Sequence, residues 1–157
     1  MDELIDYRNT DNIINDVGGI IEDSQRTAYH SVNVILVLRN WLIGRRITEE
    51  ELKGSARAEY GKGIIDNLSS ALTSKYGKGF TRRTLYKYQQ FYKYFPEIVP
   101  SLNAQFLDNT IVPSLNAQLL SWSHYEKLLQ VNDSNARNWY AKEAYDASLK
   151  AGVNIVG

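Results

Sequence analysis

YGKGIIDNLSSALTSKYGKGFTRRTLYKYQQFYKYF, residues 60–95, carries both the fold and the candidate function of this chain. The tetrapeptide Tyr-Gly-Lys-Gly stands at 60–63 and again at 76–79. Paired glycines free the backbone for a sharp reversal, so each copy reads as the end of one helix and the start of the next. Between the copies Ile64, Leu68, Leu72 and Tyr76 recur at helical spacing, with Ile65 alongside. After the second copy, Thr81 is a good N-cap for a helix whose inward stripe is Leu85, Tyr88, Tyr92 and Phe95. Arg82, Arg83, Tyr86, Lys87, Gln90 and Lys93 fall on the opposite side. A helix, a glycine turn and a second amphipathic helix opening on two arginines form the layout of a helix-turn-helix, at about residues 63–95.

The charge pattern sharpens that reading. From Asn67 to Pro96 there is no acidic side chain, while Lys75, Lys78, Arg82, Arg83, Lys87 and Lys93 supply six cations. The whole chain balances 18 Lys and Arg against 18 Asp and Glu, so this window is a basic patch on a neutral protein. A helix in the major groove reads bases with its first turns, where Arg pairs with guanine and hydroxyls reach phosphate. Arg82, Arg83, Thr84 and Lys87 are of the right type in the right turns. Lys78 in the turn and the backbone amides at the helix start, with Thr81, would add phosphate contacts, and Tyr86 and Tyr88 could stack on bases, although the spacing of Tyr88 reads more readily as core. The competing reading leaves the same face solvated on a packed helical hairpin.

Outward from this region, Ser24 to Arg46 is apolar on several faces, as a buried helix or, around Val32 to Leu38, a β-branched strand would be, and its length favours the helix. Residues 1–23 hold seven acids against one Arg, with Gly18-Gly19 in the middle, and read as a loosely packed acidic arm. Thr48 followed by Glu51 resembles a capping box, which would open a short helix closed by Gly61. Beyond Pro96 the octapeptide IVPSLNAQ occurs at 98–105 and at 111–118, in a segment expected to be a linker over about 96–120. C-terminal helices follow over about 121–150. Ser123 with Glu126 forms a second capping-box pattern, and Trp139, Ala144, Tyr145 and Leu149 mark the last helix.

Composition excludes several function classes. A chain of 157 residues fits one domain burying about 70% of its unfolded surface. It has no Cys and only His30 and His124, so neither a disulfide framework nor a Cys or His metal cage is expected. The longest apolar run, Val34 to Leu38, is far below the roughly 20 residues that span a bilayer. The acidic N-terminus does not resemble a signal peptide, so the cytoplasm is the expected compartment. Glu51-Leu52-Lys53 is the nearest match to a metal-nuclease triplet, but it lacks a partner aspartate and lies in a helical stretch. No phosphate-cradling glycine loop of the P-loop kind is present. No catalytic residue, metal site or cofactor is therefore assigned.

The strings NWLIGRRI, YGKGIIDNLS, YGKGFTRRTLYKYQQFY and LNAQLLSWSHYEKLL, with Arg137 to Tyr140, together resemble the N-terminal domain of the YhcG-like bacterial proteins over about Asn12 to Ala147. The resemblance implies a largely helical module with a helix-turn-helix, placed ahead of a PD-(D/E)xK-type nuclease domain. Gly79 to Leu85, with Phe91-Tyr92, carry the match at the second helix, and the nuclease half has no counterpart in residues 1–157. The expected protein is a single, mostly α-helical domain with room for no more than a small β wing. Its expected role is to bind or target DNA for a nuclease without catalysis of its own. Its expected partners are DNA and a nuclease domain or separate nuclease subunit, with no membrane. The alternative is a protein-interaction module, in which Trp41, Trp122 and Trp139 serve a homodimer or dock the nuclease without DNA contact.

Overall fold

The computed structural model describes residues 5–26, 32–54, 58–96, 98 and 120–150. Among them are six helices and no strand: α1 (Ile13–Arg26), α2 (Val32–Gly54), α3 (Ala58–Tyr76), α4 (Arg82–Tyr94), α5 (Trp122–Leu128) and α6 (Ser134–Lys150). The protein is accordingly mostly α. The expected linker, with nearly all of the IVPSLNAQ repeat, lies outside the described residues.

The central element is α2. Val34, Val37, Leu38, Trp41, Leu42, Ile43 and Ile47 are all buried on it, which explains why its sequence is apolar on several faces. It is packed on more than one side, by α1, α3 and above all α4. The tightest approach is at Gly44, where an added Cβ would lie 2.0 Å from the Tyr88 carbonyl oxygen. Only a residue without a side chain lets the two backbones meet there. The Trp41 indole donates to the Phe95 carbonyl at 2.9 Å and so ties α2 to the end of α4. Asn33 accepts from the Trp122 amide and donates to the Leu120 carbonyl, both at 3.1 Å, which docks α5 on α2. Phe91 completes the joint, its ring 5.0 Å from Trp122 and 4.9 Å from Tyr125.

The structure corrects four local expectations. Residues 13–26 are no loose acidic arm: Val17, Ile20 and Ile21 of α1 enter the core. One of the acids, Asp16, accepts from Arg46 Nε at 2.9 Å, and that guanidinium is fully buried. Arg46 also donates to the Thr10 carbonyl and pairs with Glu50, so it crosslinks α1, α2 and the segment before them. The Thr48–Glu51 pattern opens no helix, because α2 runs through it and the Thr48 hydroxyl donates back to the Gly44 carbonyl at 2.9 Å. The first Tyr-Gly-Lys-Gly lies inside α3 and does not break it. Finally, α5 is capped by Ser121, which accepts from the His124 amide, two residues before the expected Ser123. The His124 ring nitrogen also lies 2.6 Å from the Ser121 hydroxyl.

Candidate nucleic-acid interface

The second Tyr-Gly-Lys-Gly does form the corner between α3 and α4. Gly77 and Gly79 have φ of 85° and 118°, a region that side chains disfavour. Phe80 is buried beneath this corner, 5.7 Å from the Arg39 guanidinium, and its carbonyl accepts from the Ser69 hydroxyl at 2.8 Å. The turn is therefore held rigidly against α3 while Lys78 stays exposed. Thr81 caps α4 as expected, accepting from the Thr84 amide at 3.2 Å, and its hydroxyl also contacts that of Thr84.

From the cap onward α4 has two faces. Leu85, Tyr88, Gln89 and Phe91 are buried, the last two being absent from the stripe expected from sequence. The Gln89 amide donates to Glu51 at 2.6 Å, which places the acid of the Glu51-Leu52-Lys53 triplet in the α2–α4 packing. Arg82, Arg83, Tyr86, Lys87 and Gln90 line the other face at helical spacing. They form one wall of an open groove of roughly 580 Å³, whose opposite wall is Glu126, Leu129 and Gln130. All seven residues singled out in the sequence, Lys78, Thr81, Arg82, Arg83, Thr84, Tyr86 and Lys87, thus lie at this corner or along the first two turns of α4.

Their charges are not equally available. Arg82 pairs with Asp66 of α3 at 2.7 Å, and Lys87 with Glu126 of α5 at 3.1 Å. Among the described residues Lys78 and Arg83 have no such partner. The Arg82–Asp66 pair is well exposed and the Lys87–Glu126 pair half-buried; exposed pairs contribute only about 0–1 kcal/mol, so an incoming anion can displace Asp66 from Arg82. Sequence reasoning missed Asp66 and Glu126. Asp66 marks the edge of the acid-free window, but Glu126 is 39 residues from Lys87 and no local pattern links the two.

Around this site the described residues hold no group of three or more His, Cys, Asp or Glu able to bind a metal. No helix among them is long and apolar enough to cross a membrane. Of the residues expected to mark the C-terminal helix, Ala144 and Tyr145 pack against the core, whereas Trp139 is 58% exposed and its ring lies 5.0 Å from that of Tyr140, itself 51% exposed. Arg137 is the residue that anchors α6, buried over the Tyr94 ring at 3.8 Å and donating to the Val131 carbonyl.

The family model described as the DUF1016 N-terminal domain matches residues 16–152, which takes in α4, its corner and both C-terminal helices. The chain belongs to this family. This DUF1016 N-terminal domain is also similar to the Escherichia coli (strain K12) protein named "Putative nuclease YhcG", with 35% identity over 157 residues. The similarity covers 87% of this chain and 41% of that relative, so the domain spans about two fifths of its length. No solved structure matches the chain.

Proposed function

We propose that this domain is the DNA-contacting, targeting part of a nuclease-associated protein and does not itself cut DNA. Its contact surface is the Gly77–Gly79 corner with the outer face of α4, and α3, the corner and α4 act as its helix-turn-helix. One observation carries the reading: Lys78, Arg82, Arg83, Lys87 and Tyr86 are held together at the start of one rigidly capped helix, where the helix dipole adds to their attraction for phosphate. The nuclease association rests on the relative's name, and the partner would be a nuclease domain or a separate nuclease subunit. The first-turn arginines contact DNA directly, while Lys75, paired with Glu22 in the last turn of α3, only shapes the field.

Titration with duplex, branched and single-stranded DNA at several salt concentrations tests this reading. Binding should weaken steeply with salt. The double change Arg82→Ala with Arg83→Ala, verified to remain helical, should reduce the salt slope by about 0.9 for each phosphate that an arginine had neutralised. If these arginines also pair with bases, preference among sequences should flatten, at a cost of about 1–3 kcal/mol for each arginine–base pairing. A parent domain that binds no DNA even at low salt overturns the reading. A second reading draws on α6: the exposed Trp139–Tyr140 pair suits a protein partner or a second copy better than a nucleic acid face. In that case the Trp139→Ser variant, and not the arginine double variant, would lose association in sedimentation experiments.

A further inference from the structure

We infer that the groove between α4 and α5 seats an unpaired base of single-stranded DNA, with Tyr86 as its stacking platform. This inference rests on the reading that α4 contacts DNA, and it specifies which form of DNA the site takes. A helix that reads duplex DNA must project freely so that its side chains enter the major groove. Here the second and third turns of α4 are walled in. Lys87 is bridged to Glu126, and the Gln90 amide donates to the Leu129 carbonyl at 3.3 Å, so α5 stands beside the face that a duplex would have to reach. Only the first turn, with Arg82 and Arg83, projects.

The open groove suits a smaller occupant. Its volume of roughly 580 Å³ lies within the range of about 300–1,000 Å³ typical of small-molecule sites, which a nucleotide fits and a duplex does not. Its lining divides by chemistry. Arg82 and Arg83 stand at the first turn, where a strand's phosphates would pass. Tyr86 is 43% exposed and, unlike Tyr88, which is packed edge-on against Trp122, has no ring contact among the described residues. The Gln90 and Gln130 side chains supply donors and acceptors for a base edge. Cations for the backbone and an open aromatic face for the base are the combination that binds single strands with little sequence preference. Among the described residues Glu126 is the acid that lines the groove, and it works against an anionic ligand.

Fluorescence anisotropy with a labelled oligothymidylate and a duplex of matched length tests the seat. The parent domain should bind the single strand more tightly than the duplex. Stacking on tyrosine implies that Tyr86→Ala weakens single-strand binding about 5- to 100-fold and duplex binding clearly less, while Tyr86→Phe retains both. Glu126→Gln, which removes the opposing charge beside Lys87, should tighten single-strand binding. Circular dichroism of each variant establishes that the helices are intact. If the duplex binds more tightly than the single strand, or if Tyr86→Ala affects both equally or neither, there is no base seat, although the proposed DNA contact through the arginines stands. If neither DNA binds at low salt, the contact itself is refuted and the seat falls with it.

Discussion

Gly44 shows how one residue fixes the position of the candidate interface. A methyl group there would sit 2.0 Å from the carbonyl oxygen of Tyr88 and 2.5 Å from its carbon, both main-chain atoms that no rotamer change can move. The α2–α4 joint would have to open across Leu85, Tyr88 and Phe91. Gly44→Ala should therefore destabilise at or beyond the upper end of the roughly 1–3 kcal/mol usual for overpacking. Urea denaturation measures this, and a variant as stable as the parent would mean that the helices do not approach so closely. Nothing local in the sequence hints at the role, because a glycine in an apolar run looks like a weak spot in a helix. Arg46 is equally opaque there: its partner Asp16 is 30 residues away, in a segment that its acids make look solvated.

At the scale of elements, the two copies of Tyr-Gly-Lys-Gly are identical and only one is a turn. The second is followed by Phe80, which the core buries, and by Thr81, which can cap a new helix; the first is followed by Ile64-Ile65, with an isoleucine at the position that matches Thr81. Glycine permits a break, but the break occurs only where caps satisfy the freed backbone groups. The same substitution should then have opposite signs in the two copies. Gly63 lies within α3 with nothing within 4 Å of an added Cβ, so Gly63→Ala should raise stability by about 0.5–1 kcal/mol. Gly79 is also unobstructed, but its φ of 118° is unfavourable to any side chain, and Gly79→Ala should lower stability by about 1–2 kcal/mol. Thermal melts of the two variants on either side of the parent would establish that distinction. Helical period made α3 and α4 legible and length pointed to α2, whereas the order in which caps override glycine had to be seen in the fold.

At the scale of the whole molecule, helical class and the basic start of α4 were readable because both follow from local periodicity and local charge. The groove was not, since α5 reaches α4 only through the docking of Asn33 on residues 120–122 and through the Phe91 aromatic joint. That long-range scaffold also predicts how the fold responds to pH. Burial alone would raise the Asp16 carboxyl, but the Thr10 hydroxyl and amide and the Arg46 guanidinium outweigh it and hold the group below its ordinary value of 3.8. Glu49 is likewise held below 4.5: burial opposes ionisation, and hydrogen bonds from Tyr7, Arg45 and Asn9 prevail. A depressed carboxylate contributes stability that is complete above its unfolded pKa and lost as pH falls through its folded one, so the acid edge should lie below about pH 4. At the other extreme, burial pushes the Tyr125 hydroxyl up to about 12. A raised pKa contributes stability that is complete below the unfolded value and disappears as pH rises through the folded value, so the alkaline edge should run from about pH 10 to 12. A shift of that size is linked to about 2–3 kcal/mol. Tyr125→Phe keeps the ring against Phe91 and Phe95 and cannot ionise, so urea midpoints measured across this range should fall less steeply for the variant than for the parent. Equal slopes would mean that Tyr125 is not the group whose ionisation loosens α5 from α4.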